Sequence, residues 1–589
     1  MASGPFIQVI VPLRLEWEPY YALEGAFLGQ RVNVLFAHKE YVGVVSAVGV
    51  VPETATERIQ AAYPSDLPPI LPQEIAFWKA IANYYLCTVG EVYKAAYPVL
   101  KQESEAVKVR SDERVQKRLA LLREKLSKAR KEETRERYAG EISRLETLLQ
   151  GEKAFTEPES PVLSPEQGAA VQAVLKAFQA GKTVLLQGRG RSEIYLQLAS
   201  ETLAQGKSVL YLVPEIALSK QLEEEIRRYF PAVKIYNSAR SIAQRRVVAD
   251  AAREGKAELI LGTRSALFLP QRNLRLIILD EEQDISYKQD SPAPRYQARE
   301  SAILLAGIHH AHVLLGSTTP SLESLYNADT GLFAKVELKE YLNDGEKPEI
   351  QLINTAAEAR KKGLVGSFSL KLLERMHRTL DRGEKVLVIC RSKQAIPEIE
   401  QEMKPVFGPG LKGIITATPA GAKGQPASAF GLTAVLQADG LLAREDFRCD
   451  ERAIQVLSQL RERCKAGGAF VIQTWEAAHP VFGQFTRECS PQLLEERRQF
   501  GYPPYTRLIH VILKDNNQKR VDYMVRELTV SLQQALPGIS ILPYQLSIRI
   551  MLPRDKALTA RKQTLTATIA AFEKERRYLG HIIIDVDPV

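Results

Sequence analysis

The chain has 589 residues, of which 45% are hydrophobic and 25% charged, and carries a formal charge of +9. A length of that order holds several domains with large cores. With no apolar run near the roughly 18–20 residues of a membrane span and no visible export leader, a soluble, cytoplasmic protein is expected, with no membrane partner. The five cysteines (Cys87, Cys390, Cys449, Cys464 and Cys489) form no CxxC pair, which argues against a disulfide framework and against a cysteine-based zinc site. A basic balance permits nucleic-acid binding without requiring it.

Residues 6–50 alternate short apolar runs with turns, the pattern of a small β-rich domain. The stretch "LPQEIAFWKAIANYYLCTVGEVYKAA" that follows has helical spacing, so residues 1–100 are expected to form one module. From Ser111 to Gln150, Val115, Leu119, Leu122 and Leu126 recur at steps of four, three and four, as do Tyr138, Ile142, Leu145 and Leu149. The phase breaks between the two sets, which predicts a charged αα-hairpin within residues 101–157. Its basic run is either a solvated helix face or a contact surface for DNA or protein.

From Leu163 onward, β-branched apolar runs at Thr183–Leu186, Ser208–Val213, Glu258–Leu261, Leu276–Leu279 and His312–Leu315 alternate with helical segments. That alternation is the signature of a parallel sheet with crossover helices. A second set, "EKVLVICRS", "GIITATP", "LTAVLQAD" and "AFVIQT", predicts a second α/β lobe, and an α+β module follows "GYPPYTRL". The fold class is multidomain α/β. Its expected divisions are 1–100, 101–157, 158–335, 336–490 and 491–589.

A phosphate-binding loop needs G-x-x-x-x-G-K-[ST] between a strand and a helix, so that backbone N–H groups, a lysine and a hydroxyl meet the phosphates and Mg²⁺. Here the strand "TVLLQ" and the helix "SEIYLQLA" are joined by Gly188-Arg189-Gly190-Arg191-Ser192, three residues short and with arginine in the lysine's place. A planar guanidinium is a poor substitute for a buried ammonium. "GKT" at Gly181–Thr183 precedes the strand and reads as a helix end capped by Gly181. Asp280 and Glu281 end an apolar strand, where a helicase holds Mg²⁺ and polarises water.

"VLYLVPEIALSKQLEEEIRRYFP", "LILGTRSALFLPQRNLRLIILDEEQD", "SYKQDSPAPRYQARESA" and "LLGSTTPSLES" resemble the first helicase lobe of the primosomal protein N′ (PriA) family, superfamily 2 DNA helicases that restart stalled replication forks. The resemblance continues through "LQADGLLAREDFRCDERAIQVLSQ", "VIQTWEAAHPV", "ERRQFGYPPYTRL" and "IIIDVDP", and at the N-terminus through "VPL…GQRVNVLF…YVGVV", which is similar to the family's 3′-end-binding domain. It implies two RecA-like lobes between an N-terminal β-rich DNA-binding domain and a C-terminal α+β domain. The nucleotide-binding positions it implies are Gln167, Gly188, Arg191, Ser192 and Arg463, beside the Mg/water pair Asp280 and Glu281.

The departures are as informative. The family's D-E-E-H reads Asp280-Glu281-Glu282-Gln283, and Pro426 stands where its lobe-2 motif has aspartate. In the stretch matching Q-V-A-G-R-A-G-R, Arg463 keeps the first arginine's place while Ala466 takes that of the finger. An arginine finger contributes about 10³–10⁵ in rate. The family's zinc-binding cysteines are missing from the second lobe and its winged helix is replaced by the charged hairpin.

The loop "DISYKQDSPAPRYQAR" resembles the family's aromatic-rich loop, so Tyr287, Lys288, Arg295, Tyr296 and Arg299 are candidate DNA contacts, with rings to stack and cations for phosphates; the alternative is a loop packed between lobes. Trp17, Tyr20 and Tyr21 fall near the family's pocket for a 3′-terminal nucleotide, with core aromatics as the alternative reading. The expected function is a PriA-like pseudohelicase that binds forked, D-loop-like or 3′-ended DNA. Primosome, single-strand-binding or helicase-loading proteins are its implied partners. No cofactor or zinc is expected, and ATP with Mg belongs only to the alternative of an active helicase with phosphate contacts through Arg191 and Ser192. A protein-binding scaffold without DNA is the remaining alternative.

Overall fold

The computed structural model describes residues 6–53, 55–97, 120–126, 142, 159–215, 217–256, 258–339, 348–443, 446–484, 490–576 and 581–588. The hairpin expected within 101–157 lies outside the described residues, apart from a helical stretch at 120–126 and residue 142.

The N-terminal unit is an antiparallel sheet of β1 (Phe6–Ile10), β2 (Tyr20–Ala22), β3 (Arg31–Phe36), β4 (Lys39–Val48) and β5 (Tyr63–Pro64), in the order β2-β1-β4-β3-β5. The segment expected as one helix is two, Pro72–Tyr85 and Val89–Ala96. Leu86 turns left-handed at φ 55°, and Thr88 starts the second helix by accepting from the Glu91 N–H while Glu91 accepts from the Thr88 N–H. Such a capping box outcompetes continuation of the first helix. Gly90 makes the second helix fit, because a Cβ there would lie 2.1 Å from the Leu13 carbonyl oxygen and 2.3 Å from that of Val11.

The first lobe is a parallel seven-stranded sheet of β6 (Thr183–Gln187), β7 (Ser208–Leu212), β8 (Lys234–Tyr236), β9 (Leu259–Gly262), β10 (Leu274–Asp280), β11 (His312–Ser317) and β12 (Phe333–Glu337), ordered β12-β6-β11-β10-β7-β9-β8. Its central strands are apolar throughout because both faces are covered. The outermost strands β8 and β12 were not anticipated. They are short and carry lysine or glutamate, so their apolar runs are broken.

The second lobe holds β13 (Glu349–Asn354), a small hairpin of β14 (Leu364–Val365) and β15 (Phe368–Ser369), then β16 (Val386–Ile389), β17 (Ile414–Ala417), β18 (Phe430–Val435) and β19 (Cys464–Thr474). Its five-stranded sheet runs β13-β19-β18-β16-β17, all parallel. The C-terminal unit is an antiparallel sheet of β20 (Thr506–Lys514), β21 (Ser540–Tyr544), β22 (Ser547–Pro553) and β23 (His581–Val586), with the helices Gln518–Ala535 and Leu558–Arg576.

One continuous core joins the N-terminal helices, one face of the first lobe and the C-terminal sheet. Phe77 meets Phe268 at 5.4 Å, and Phe268 meets Tyr296 edge-on at 5.1 Å. Tyr85 both donates to the Gln297 carbonyl (3.1 Å) and accepts from its N–H (3.0 Å). Among the described residues, no helix is long and apolar enough to cross a membrane.

Gly90→Ala is expected to lower stability by about 1–3 kcal/mol through overpacking. Gly168→Ala, on a helix with open space around it, is expected to be neutral or to stabilise by about 0.5–1 kcal/mol. Thermal denaturation of the two variants beside the parent checks both.

Candidate functional site

β6 ends at Gln187, and the chain turns through Gly188 (φ 127°) and Gly190 (φ 70°) into the helix Arg191–Ala204. Both glycines hold backbone conformations that side chains disfavour. The loop is held down: Gly188 donates to the Ser317 carbonyl (3.1 Å), Leu338 donates to the Gln187 carbonyl (2.8 Å), and a Cβ on Gly188 would strike Leu338. Gln167 fastens its other end, donating to the Gly190 carbonyl (2.9 Å) and Glu193 (3.1 Å) while accepting from the Ser164 N–H (2.8 Å).

Arg191 is the centre of the site. Its buried guanidinium donates through Nη2 to Asp280 Oδ1 (3.0 Å) and Glu281 Oε1 (2.6 Å), through Nε to the Tyr195 hydroxyl (2.9 Å), and through Nη1 to the Gly188 carbonyl. Tyr195 completes the ring by donating to Asp280 Oδ1 at 2.8 Å. Adjacent strand residues normally face opposite ways. Here the chain reverses at Glu281 (φ 50°), and both carboxylates reach the same guanidinium. Burial works against the charged form of Arg191, but Tyr195, Asp280 and Glu281 outweigh it and hold the guanidinium well above its ordinary range. Burial pushes the Glu281 carboxyl up, with Arg191 opposing.

Tyr195 carries no motif letter and was missed. Its signal was its place four residues after Arg191, on the same helix face. Gly316 admits it, since a Cβ there would fall 1.6 Å from the Tyr195 hydroxyl. Gln459 of the second lobe, the first letter of the stretch matching Q-V-A-G-R-A-G-R, had been given no role, and it donates to Glu281 Oε2 at 3.0 Å, beside Gln283 at 2.7 Å.

Of the other expected nucleotide contacts, Ser192 is exposed on the first helical turn and bonds to neither acid. Arg463 donates to the Gln425 carbonyl within its own lobe (2.7 Å), and burial lowers its proton affinity. Arg189 reaches across to Glu462 at 3.6 Å.

The candidate DNA contacts divide sharply. Tyr287 is buried and donates to the Leu212 (3.1 Å) and Asp280 (2.7 Å) carbonyls. Lys288 is buried against the C-terminal unit, donating to the Val586 carbonyl and pairing with Asp585, both at 2.7 Å. Tyr296 belongs to the shared core, Arg299 is buried on Glu282, Glu300 and Ser321, and Tyr21 is buried with its hydroxyl on the Leu35 carbonyl. These five are packing and ion-pairing groups here, as the alternatives of a loop packed between lobes and of core aromatics have it. For Lys288 and Tyr296 the physical reason is a three-way junction, where the C-terminal sheet and the N-terminal helices cover the loop, whereas Tyr21 packs in the core of its own sheet.

Tyr20 and Arg295, with the largely buried Tyr21 behind them, line a cleft of ≈ 1750 Å³ between the N-terminal sheet, the 291–295 loop and the helix Leu558–Arg576. Trp17, 57% exposed and 6.3 Å from Phe36, lines it too, with Arg58 and Lys562. Glu18 in the same wall is engaged by Ser46 and Lys79.

Arg191→Ala strands two carboxylates, so stability is expected to fall by about 3–5 kcal/mol. Mg²⁺ or Mn²⁺ is expected to restore part of it in the variant and to leave the parent's melting unchanged. Melting with and without each ion checks this. A second expectation concerns Glu323, buried where Arg448 (2.5 Å) and Arg497 (3.1 Å) meet it. Burial alone would raise its carboxyl, but Arg448, Arg497 and Arg299 hold it well below the ordinary range. The stability it contributes is therefore complete above the unfolded value of about 4.3 and is lost as pH falls below it. Glu323→Gln is expected to be less stable at neutral pH, with a flatter profile in acid, as urea unfolding at stepped pH measures.

Residues 8–98 match the PriA 3′ DNA-binding domain (3′BD) family and residues 164–328 match the DEAD/DEAH box helicase family. Replication restart protein PriA of Bacillus subtilis (strain 168) is 28% identical over 454 residues, covering 60% of this chain and 56% of that protein. PriA of Synechocystis sp. is 27% identical over 541 residues, covering 73% and 65%. PriA of Haemophilus influenzae is 26% identical over 712 residues, covering 95% and 96%. The chain thus spans less than two thirds of the first two relatives and nearly all of the third. With a 3′BD match ahead of a helicase match and these relatives along the remainder, the chain resembles replication restart protein PriA.

Proposed function

We propose that this chain is a PriA-like replication-restart protein that binds branched or 3′-ended DNA and does not drive unwinding with ATP. The observation that carries the proposal is the Arg191 guanidinium lying on both Asp280 and Glu281. A magnesium–triphosphate site needs those carboxylates free for the ion and a loop long enough to wrap the phosphates. Here a tethered cation takes the metal's place, and Gly188 packs on Leu338 where a longer loop would open. The residues present therefore do not fit the metal–nucleotide pair. Ala466, in the position matching the arginine finger, lies exposed on β19, which agrees.

The DNA half of the proposal draws on the 3′BD match and on the cleft beside it. Tyr20 and the exposed ring of Trp17 offer faces for base stacking, each such contact contributing about 1–3 kcal/mol. Arg58 and Arg295 offer cations for a few phosphates. With glutamates in the same wall, the cleft suits a short terminal tract better than a long strand. Restart proteins acting as loaders are the partners this function would need.

ATP hydrolysis by the purified chain, with and without a fork carrying a 3′ leading-strand end, tests the first half. Turnover at background in both is expected, and fork-stimulated turnover would overturn the silent motor. Fork affinity against salt tests the second. A negative log–log slope, together with at least tenfold weaker binding by a Tyr20→Ala, Arg295→Ala double variant, is expected. A slope of zero would leave a protein-binding scaffold.

A further inference from the structure

The two lobes are joined at three separate places by groups that belong to the chain. At the first, Glu281 is bonded simultaneously to Arg191 of its own lobe and to Gln459 of the other. At the second, Lys423 of lobe 2 pairs with Asp284 of lobe 1. Although burial would raise the Asp284 carboxyl, Lys423 and the Ser286 N–H bring it below its ordinary value. The third is the largest. Glu323, at the start of the helix Leu322–Asp329, meets Arg448, and Glu451 accepts from the Leu322 N–H at 2.8 Å. Arg497 bridges both glutamates at 3.1 and 2.5 Å, and Leu322 packs on Leu493 and Leu494 beside them.

We infer that the chain holds its two lobes permanently in the closed arrangement, without nucleotide. The inference extends the proposal of a silent motor, since it states what the lobes do once ATP no longer moves them. In a nucleotide-driven motor the ligand's differential contacts close the lobes, and losing them opens the cleft. Here the cleft-side contacts are made by Gln459 on Glu281 and by the Arg189–Glu462 pair, groups tethered to the chain that do not diffuse away as a ligand does. Opening would also strip partners from Glu323, Glu451 and Arg497, all at least nine-tenths buried. Charges buried with their partners cost little until one is taken away, and then a great deal. A ligand can shift an equilibrium only by preferring one state, so nucleotide has no open population left to close. The pair of lobes then acts as one rigid wall, and the surface it presents to DNA is always formed.

The test is intramolecular energy transfer in the full chain, with dyes on Gln205→Cys in lobe 1 and Lys404→Cys in lobe 2, both exposed positions, and Cys87 and Cys489 changed to serine. One narrow distance distribution is expected, identical in buffer, with Mg·ATP and with a non-hydrolysable analogue. A broad distribution in buffer, or any shift on adding nucleotide, overturns the inference. The pair Glu323→Gln, Glu451→Gln is expected to lengthen and broaden the distance. Should that pair fail to fold, Gln459→Ala with Lys423→Ala, at the other two contacts, is expected to do the same, and an unchanged distance in a folded variant overturns the assignment. ATP turnover measured on the same samples separates the two proposals. Turnover without movement sinks the silent motor, and movement without turnover sinks the permanent closure.

Discussion

A single guanidinium between two carboxylates is the constraint around which the rest of the first lobe is arranged. Arg191 is charged at any ordinary pH and is buried, so it must be matched by negative charge or the lobe does not close over it. Asp280 and Glu281 supply that match at 3.0 and 2.6 Å. Around the triad, Tyr195, the Gly188 carbonyl and Gln459 satisfy the remaining donors and acceptors. The same acids that would bind a metal ion in an ATPase are needed here as structural counter-charges.

The short Gly188–Ser192 turn and the acid pair form one unit. A shortened loop brings the first helical residue close to the end of β10, and an arginine there has the reach for both acids. Nη2 alone meets both acids, while Nε and Nη1 take the Tyr195 hydroxyl and the Gly188 carbonyl, a spread of directions that a lysine's single ammonium does not cover. Asp280 and Glu281 balance the charge of the buried guanidinium.

The three-domain junction gives a second unifying constraint. Tyr287, Lys288, Tyr296 and Arg299 stand in a segment that reads as an aromatic and basic loop, yet all four are buried. Lys288 anchors to Asp585 and the Val586 carbonyl, almost 300 residues away, and Tyr296 packs on Phe268 in the core shared with the N-terminal helices. The surface left available lies where the N-terminal sheet, the 291–295 loop and the C-terminal helix stand apart.

The sequence by itself determined the elements. Apolar runs such as "LRLIILD" and "AFVIQT" are buried on both faces, so periodicity and length identify them as parallel strands. Its motif letters located the acid pair and the shortened loop, because glycine turns and strand-end acids are local features. Leu86 and Thr88 show the limit even of local reading: a left-handed residue and a capping box split a helix whose apolar spacing runs on unbroken. Tertiary structure alone decided what each charge does. Whether Arg191 meets phosphate or carboxylate, and whether Tyr287 faces a base or the Leu212 carbonyl, depends on what packs from elsewhere in the chain. Electrostatic partners separated by 89 residues, as Arg191 and Asp280 are, or by 178, as Glu281 and Gln459 are, leave no periodic trace in sequence.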